Sequence, residues 1–202
     1  MTIRLLLADD QALVRGALTA LLNLEPDLKV VSEVGTGDAV VAAVLEHRPD
    51  VALLDVEMPG MDGIEATAAL KAALPATRIL IVTTFGRPGF LRRALRAGAD
   101  GFVVKDTPAR QLADAVRRVH AGLRVVDPVL AADSLVAGDS PLTARETDVL
   151  RAAREGAAVA SIASRLFLSE GTVRNHLSSA IGKTGTANRA EAVRVADQNG
   201  WL

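Results

Sequence analysis

The sequence predicts an α/β protein in which a doubly wound parallel sheet is followed by a small all-helical domain. Short apolar runs alternate with helical patterns over residues 1–122, which is typical of a parallel sheet with helices on both faces. Most of these apolar runs end in a polar residue, and ligands bind at that carboxyl edge of open α/β sheets. Residues 142–202 show only helical periodicity, which indicates a separate domain.

The first 122 residues contain five strand patterns and five helix patterns in strict alternation. The strands are predicted over Ile3–Ala8, Lys29–Val34, Val51–Leu54, Arg78–Val82 and Gly101–Val104. The helices are predicted near Leu13–Leu22, Gly37–His47, Gly63–Ala73, Pro88–Ala97 and Pro108–Ala121. This order predicts a flavodoxin-like doubly wound domain with five strands.

Residues 123–141 break the alternation with turn-forming residues at Asp127-Pro128 and around Gly138. We interpret them as a linker with a short helix near Val129–Val136. The predicted domains are therefore residues 1–122 and residues 142–202.

Composition limits the classes of protein to consider. The chain has 202 residues, half of them hydrophobic, and no cysteine, which excludes disulfides and thiolate metal sites. No signal peptide and no apolar stretch of about 20 residues is present, so we expect a cytoplasmic protein with no membrane partner. Residues 1–141 carry 15 basic and 18 acidic residues, whereas residues 142–202 carry 8 and 6. This asymmetry agrees with a nucleic-acid-binding second domain.

Polar residues follow four of the predicted strands. Asp9-Asp10, Asp55, Thr83 and Lys105 each come directly after or at the end of an apolar run. Parallel neighbouring strands would bring these three carboxylates, the hydroxyl and the ammonium into one pocket. Clustered carboxylates repel one another unless a cation neutralises them, and an all-oxygen site suits Mg²⁺.

In order and spacing these residues resemble the receiver domain of response regulators. The resemblance implies that Asp55 is the phosphoacceptor and that a sensor histidine kinase is the donor. It also implies that Mg²⁺ is held by Asp9, Asp10, Asp55 and the backbone carbonyl of Glu57. Thr83 and Lys105 would then contact phosphoryl oxygens.

Two further receiver positions follow from the resemblance. Phe102 corresponds to the aromatic switch residue, which is expected to swing inward when Thr83 moves toward the phosphoryl group. Glu57 and Phe85 correspond to the residues that border the path of the water that removes the phosphoryl group. We therefore expect Glu57 and Phe85 to set the dephosphorylation rate.

The C-terminal domain begins with a helix-start signal, Thr143-Ala-Arg-Glu146, that is typical of a capping box. A short helix over Val159–Leu166 is followed by Ser169, a good N-cap for the next helix. On that next helix a buried stripe is predicted at helical spacing, with polar residues on the opposite face. This pattern predicts a helix-turn-helix, although a solvated face on a small bundle would have the same periodicity.

Thr143–Glu146 and Leu168–Leu177 resemble the LuxR-type helix-turn-helix of the NarL/FixJ response regulators. The resemblance implies DNA contacts by Arg174, Asn175 and Ser178. Serine departs from the family pattern, because lysine is frequent at that position. Additional phosphate contacts are expected from two basic residues, Lys183 and Arg189.

Together the two resemblances predict a transcription regulator that is switched by phosphorylation and is not an enzyme beyond its own phosphoryl transfer and dephosphorylation. Expected partners are the kinase, double-stranded DNA with an inverted-repeat operator, RNA polymerase, and a second copy of the chain after phosphorylation. The coupling from Thr83 and Phe102 is expected to run to the Pro108–Ala121 helix, with its Leu112, Val116 and Val119. Two alternatives stay open at this point: a phosphorylation-independent DNA-binding regulator and a Mg²⁺-dependent aspartyl-phosphate phosphohydrolase.

Overall fold

The structure is a computed structural model that describes residues 2–84, 86, 88–128, 130–132, 140–154 and 156–202. The chain forms two compact units. The N-terminal unit consists of residues 1–86 with 90–132, and the C-terminal unit consists of residues 87–89 with 133–202.

The N-terminal unit alternates strands with helices, as the sequence predicts. Its strands are β1 (Ile3–Ala8), β2 (Leu28–Val34), β3 (Val51–Leu54), β4 (Arg78–Thr83), β5 (Gly101–Val104) and β6 (Val125–Val126). Its helices are α1 (Ala12–Asn23), α2 (Val40–His47), α3 (Gly63–Ala73), α4 (Pro88–Ala97) and α5 (Ala109–His120). The five predicted strands and five predicted helices are all present, and β6 is additional.

All six strands pair in parallel in the order β2-β1-β3-β4-β5-β6. Successive side chains of a strand point to opposite faces of the sheet, so each strand contributes to two cores. On β3, Val51 and Leu53 join one cluster, and Ala52 and Leu54 join the other. Burial on both faces explains why β3 is an uninterrupted apolar run.

The segment after α5 differs from the sequence-based prediction in one detail. β6 lies within the predicted linker, and its two valines pair with β5 through Gly101 and Phe102. A two-residue strand has no periodicity to detect, so only its neighbour in the sheet defines it. Residues 130–132 are helical, and the rest of the helix predicted near Val129–Val136 lies outside the described residues.

The C-terminal unit is helical: α6 (Ala144–Ala153), α7 (Val159–Leu166), α8 (Glu170–Thr184) and α9 (Arg189–Gln198). The predicted capping box forms, because Thr143 Oγ1 accepts from the Glu146 N–H and Glu146 Oε2 accepts from the Thr143 N–H. Ser169 caps α8 by accepting from the Thr172 N–H. None of the helices in the ranges described above is long and apolar enough to cross a bilayer.

The predicted stripe of α8 is the centre of this unit's core. Val173, Leu177 and Ala180 are buried against α6, α7 and α9. Trp201, near the end of the chain, packs against the same cluster. Burial of this stripe leaves the opposite face of α8 to solvent.

Candidate functional site

The carboxyl ends of β1, β3, β4 and β5 meet at one edge of the sheet. The register places Ala8 beside Leu54, and the Asp55 N–H donates to the Ala8 carbonyl at 2.9 Å. On the other side of the sheet centre, the Lys105 N–H donates to the Thr83 carbonyl at 2.8 Å. Asp55 and Lys105, which follow β3 and β5, are therefore both fixed at this edge of the sheet by backbone hydrogen bonds.

Lys105 bridges two buried carboxylates in this pocket. Its Nζ lies 2.7 Å from Asp55 Oδ2 and 2.8 Å from Asp9 Oδ2. Both carboxylates are almost completely buried, and Thr83 is buried beside them. The Lys105 ammonium thus pairs with both carboxylates at a position from which water is largely excluded.

The Asp55 carboxylate is only partly satisfied. Its Oδ1 atom is buried and has no hydrogen-bond partner among the residues that the structure describes. The pKa of Asp55 is raised above its ordinary 3.8, because burial opposes the charged form and outweighs the hydrogen bond and charge of Lys105. The charge of Asp9 raises it further. Burial opposes the charge of Lys105 also, but its two carboxylate partners outweigh burial and raise its pKa.

Three carboxylates are close enough to hold one cation. Oxygens of Asp9, Asp10 and Asp55 lie within 4.8 Å of one another, with Asp10 exposed and the other two buried. The all-oxygen donor set and the unpartnered Oδ1 of Asp55 fit a hard divalent cation such as Mg²⁺. Glu57, two residues beyond Asp55, is exposed at the edge of this pocket.

One basic residue near the pocket carried no signal in the sequence. Arg15, on α1, donates from Nη1 to the Asp9 carbonyl at 2.5 Å, and its Nε lies 3.6 Å from Glu33. It therefore holds the backbone that presents the acidic pair. Arg15 lies six positions after Asp9, a spacing that matches no sequence motif. Only the fold therefore reveals the contact.

Phe102 occupies an inward position in this structure. Its ring is fully buried in the core cluster that also contains Ile81 and Leu91. The expectation that it begins outside and swings inward therefore does not describe this conformation. A phenylalanine has no hydroxyl to satisfy, so nothing opposes its complete burial. Phe85, the other predicted aromatic, lies outside the described residues.

The residues of α5 that are predicted to take part in the coupling lie in the core. Leu112, Val116 and Val119 are buried against the sheet. Beyond Ala109, the exposed side chains of this helix are polar, among them Arg110 and Arg118. The three buried residues are the apolar stripe of an amphipathic helix, which faces the core of its own unit.

The face of α8 opposite its buried stripe presents the predicted DNA-contacting residues. Arg174, Asn175 and Ser178 are all exposed. Arg174 Nη2 lies 2.6 Å from Glu170 Oε2, one helical turn earlier. This pair is open to solvent, so a phosphate or a base could replace the glutamate at little cost.

The two side chains that are predicted to contact DNA phosphates are bonded to other groups of the protein. Lys183 Nζ lies 2.7 Å from Glu146 Oε2, a buried carboxylate at the start of α6. Arg189 Nη1 donates to the Ala157 carbonyl at 2.8 Å. Both residues thus fix helix ends in this unit.

Two family models match the chain. Residues 5–117 match the model described as "Response regulator receiver domain". Residues 140–196 match the model described as "Bacterial regulatory proteins, luxR family". The two matches contain the pocket at the sheet edge and the exposed face of α8, respectively.

Full-length relatives have the same arrangement. The transcriptional regulatory protein DesR of Bacillus subtilis is 42% identical over 99% of each chain. The crystal structure of ChrA, a response regulator of a heme-sensing two-component system, is 33% identical with a TM-score of 0.60, covering 100% of this chain and 99% of that one. A structure of the two-component response regulator RcsB in complex with DNA is 25% identical with a TM-score of 0.68, covering 98% and 99%.

Proposed function

Because this chain belongs to the two-component response regulators that join a receiver domain to a LuxR-type DNA-binding domain, we propose that Asp55 is its phosphoacceptor. The donor is a sensor histidine kinase, and the output is binding to operator DNA. The observation that carries this proposal is the Asp55 carboxylate, which is buried with one unpartnered oxygen beside Lys105.

The transfer is a displacement at phosphorus. An Asp55 oxygen attacks the phosphorus of a phosphohistidine, an oxygen–phosphorus bond forms, and the phosphorus–nitrogen bond breaks. The imidazole nitrogen keeps the electron pair of the broken bond. Such a reaction needs alignment and charge neutralisation more than covalent help from the protein.

Each pocket residue has a defined part in this proposal. Lys105, already 2.7 Å from Asp55, pairs with a phosphoryl oxygen as a point charge. Thr83, buried at the end of β4, donates its hydroxyl to another phosphoryl oxygen. Asp9 and Asp10, with the Asp55 carboxylate and the Glu57 carbonyl, would hold Mg²⁺, which would supply positive charge to neutralise the reacting groups.

Two aromatic residues and Glu57 complete the proposed switch. Phe102 is fully buried on β5, the strand next to the Thr83 strand, and it is the proposed aromatic switch residue. Glu57 is exposed and, with Phe85, borders the path of the water that attacks the phosphoryl group. A large apolar ring on that path slows hydrolysis by obstructing the water.

Phosphoryl uptake tests the proposal directly. Acetyl phosphate is offered to the full chain with Mg²⁺ or with a chelator, and intact-protein mass spectrometry measures the phosphorylated fraction. We expect labelling only with Mg²⁺ and none in Asp55→Asn, which keeps the shape of the side chain but removes the nucleophile. Asp106→Asn is the matched control, because Asp106 is an exposed aspartate of the same unit.

Other outcomes would support the alternatives. Full labelling of Asp55→Asn would show that Asp55 is not the phosphoacceptor. Operator binding without any labelling of the wild-type chain would favour a phosphorylation-independent regulator. Sustained turnover of small phosphate esters would favour a phosphohydrolase.

The DNA-binding part of the proposal is that two copies act together. The exposed face of α8 carries one arginine, and the Lys183 amino group and the Arg189 guanidinium are bonded to other groups of the protein. A single copy therefore has few cations for phosphate contacts and should bind weakly. Two copies on one duplex gain from effective concentration, and two-fold symmetry implies an inverted repeat with half-sites about 10 bp apart.

Sedimentation of unmodified and phosphorylated protein, with operator titrations alongside, tests this part. The operator is first identified by mapping the genomic fragments that the protein binds. We expect a phosphorylation-dependent dimer, and we expect Arg174→Ala to weaken operator binding by roughly 1–3 kcal/mol if the guanidinium contacts a base. A phosphorylated monomer that binds its operator more tightly would contradict the dimer mechanism.

A further inference from the structure

All four polar atoms of Asp9 are bonded within the described part of the chain. Its N–H donates to the Val34 carbonyl at 3.1 Å, and its Oδ1 accepts from the Gln11 N–H at 2.9 Å. Its Oδ2 lies 2.8 Å from Lys105 Nζ, and its carbonyl accepts from Arg15 Nη1 at 2.5 Å. Asp9 is therefore held by β2, by the first turn of α1 and by the residue that follows β5.

Asp10 lacks such partners. It is exposed, and no residue that the structure describes bonds its carboxylate. The Asp9 carbonyl and the Asp10 N–H belong to one planar peptide unit, so a bond to that carbonyl also sets the direction in which the chain enters Asp10. Arg15 donates that bond. The position of the Asp10 carboxylate therefore depends on Arg15 rather than on a bond of its own.

The guanidinium of Arg15 is itself held in place. The Arg15 N–H donates to the Gln11 carbonyl at 2.9 Å, which places the residue in the first turn of α1. Arg15 Nε lies 3.6 Å from Glu33 Oε2, and 21% of the Arg15 side chain is exposed. A planar guanidinium with two bonded nitrogens has a defined orientation. Arg15 thus links the end of β2 to the peptide between the two aspartates.

The position and the charge of Arg15 have opposite consequences for a cation in this pocket. A positive charge near the three carboxylates repels Mg²⁺, so charge alone predicts tighter metal binding when Arg15 is lost. A group that orients a metal ligand raises metal affinity, and its loss commonly weakens binding by about 10–100-fold. Glu33 offsets part of the charge, which favours the second effect. The sign of the change therefore distinguishes the two effects.

We propose that Arg15 is a positioning residue of the Mg²⁺ site. It fixes the peptide between Asp9 and Asp10, presents the Asp10 carboxylate to the cation and so raises the affinity of the pocket for Mg²⁺. This inference rests on the proposed function, in which Mg²⁺ is needed for phosphoryl uptake. Arg15 acts through the acidic pair and contacts neither the cation nor the phosphoryl group.

Metal affinity of the full chain is the direct test. Mn²⁺, which suits the same oxygen ligands, is titrated into unphosphorylated protein, electron paramagnetic resonance measures free Mn²⁺, and Mg²⁺ then displaces the bound ion. The variants are Arg15→Met, which removes the charge and every donor but keeps an unbranched stem, and Arg15→Lys, which keeps the charge and one donor nitrogen. The matched control is Arg4→Met: Arg4 Nη2 also donates to a backbone carbonyl, that of His47 at 2.7 Å, but at the other end of β1.

We expect Arg15→Met to bind both ions about tenfold more weakly than the wild type, Arg15→Lys to have an intermediate affinity, and Arg4→Met to match the wild type. Phosphoryl uptake from acetyl phosphate is measured in parallel as a function of Mg²⁺ concentration. The Mg²⁺ concentration that gives the half-maximal rate should rise by the same factor in Arg15→Met. The rate at saturating Mg²⁺ should equal that of the wild type, whereas a general loss of structure would lower it.

Four results would overturn the proposal. Unchanged or tighter metal binding by Arg15→Met would show that Arg15 does not position the site. Binding by Arg15→Lys that is no tighter than binding by Arg15→Met would show that the donor to the Asp9 carbonyl is irrelevant. An equal loss in Arg4→Met would show a general effect on β1. A lower rate at saturating Mg²⁺ would mean that Arg15 serves the fold or the transfer step rather than the metal site.

Two further outcomes are separated from these. If circular dichroism shows that Arg15→Met does not fold, the comparison of Arg15→Lys with the wild type decides: weaker metal binding supports the proposal, and equal binding overturns it. A wild-type chain that binds neither ion would instead contradict the proposed function, and the first titration detects this independently of any variant.

Discussion

Each unit contains a buried carboxylate that is paired with a lysine at the same distance. Asp55 Oδ2 lies 2.7 Å from Lys105 Nζ in the N-terminal unit, and Glu146 Oε2 lies 2.7 Å from Lys183 Nζ in the C-terminal unit. The pKa of Asp55 is raised, whereas the pKa of Glu146 is lowered from 4.5 to about 2. The lysine lowers the pKa of its acid in both pairs, yet the net shifts of the two acids have opposite signs.

The difference comes from the other partners of each carboxylate. Burial opposes the charge of Glu146, but hydrogen bonds from Lys183, Ser179 and the Thr143 N–H engage both of its oxygens and outweigh burial. Asp55 shares its lysine with Asp9 and leaves Oδ1 unpartnered. A fully bonded carboxylate stabilises a fold, whereas a partly bonded one is available for chemistry.

The largest expected effect is loss of stability of the C-terminal unit in acid. A carboxyl whose folded pKa is lowered contributes stability that is complete above its unfolded pKa and is lost as pH falls toward the folded value. For Glu146 this window runs from above pH 4.5 down to about pH 2, with a maximum loss of about 3 kcal/mol. Denaturant titrations followed by the fluorescence of Trp201, the only tryptophan of the chain, measure this unit.

The control for this effect is the same titration of Glu146→Gln, which has no carboxyl to protonate. Its stability should fall less over the same pH range. If both proteins lose equal stability, other groups dominate acid unfolding and the assignment to Glu146 is wrong.

A smaller loss is expected for Glu146→Gln at pH 7. The amide keeps the shape but gives up the charged partner of Lys183 and weakens the cap of α6, so we expect a loss of about 2 kcal/mol. Glu170→Gln is the matched control, because its solvent-exposed pair with Arg174 should contribute less than about 0.5 kcal/mol. Equal losses in the two variants would contradict the distinction.

The smallest effect should have the opposite sign. In Mg²⁺-free buffer we expect Asp55→Asn to stabilise the N-terminal unit by about 1 kcal/mol, because it removes a partly bonded buried charge while Asp9 keeps Lys105 paired. Denaturant titration followed by far-ultraviolet circular dichroism measures this change.

Asp100→Asn provides the contrast within the same unit. The Asp100 carboxylate bonds Lys71, Arg78 and the Ile79 N–H, and these bonds lower its pKa against the opposing effect of burial. This variant should therefore lose stability. A destabilised Asp55→Asn would show that Asp55 serves the fold rather than the pocket alone.

The sequence predicted the parts of the site that depend on local signals. Asp9, Asp55 and Lys105 follow apolar strands, and their positions at the sheet edge are set by where those runs end. Thr143 and Ser169 cap their helices because capping involves residues only three positions apart. These features need no knowledge of the rest of the chain.

The sequence could not show where side chains distant in the chain contact the same group. Lys183 appeared available for DNA, but Glu146, 37 positions earlier, holds its amino group. The α5 stripe with Leu112 and Val116 has the pattern of an amphipathic helix, and only the sheet determines that this face is covered.

The sequence by itself therefore determined which elements form, in what order, and which polar residues stand at their ends, because strand alternation, helix periodicity and capping are short-range properties of the chain. The tertiary structure alone decided which of those polar groups are satisfied. It gave Glu146 partners for both oxygens and left Asp55 with one oxygen unpartnered. It also left Phe167 in solvent. These outcomes depend on which groups the fold brings within hydrogen-bonding or packing distance, and sequence spacing does not specify those distances.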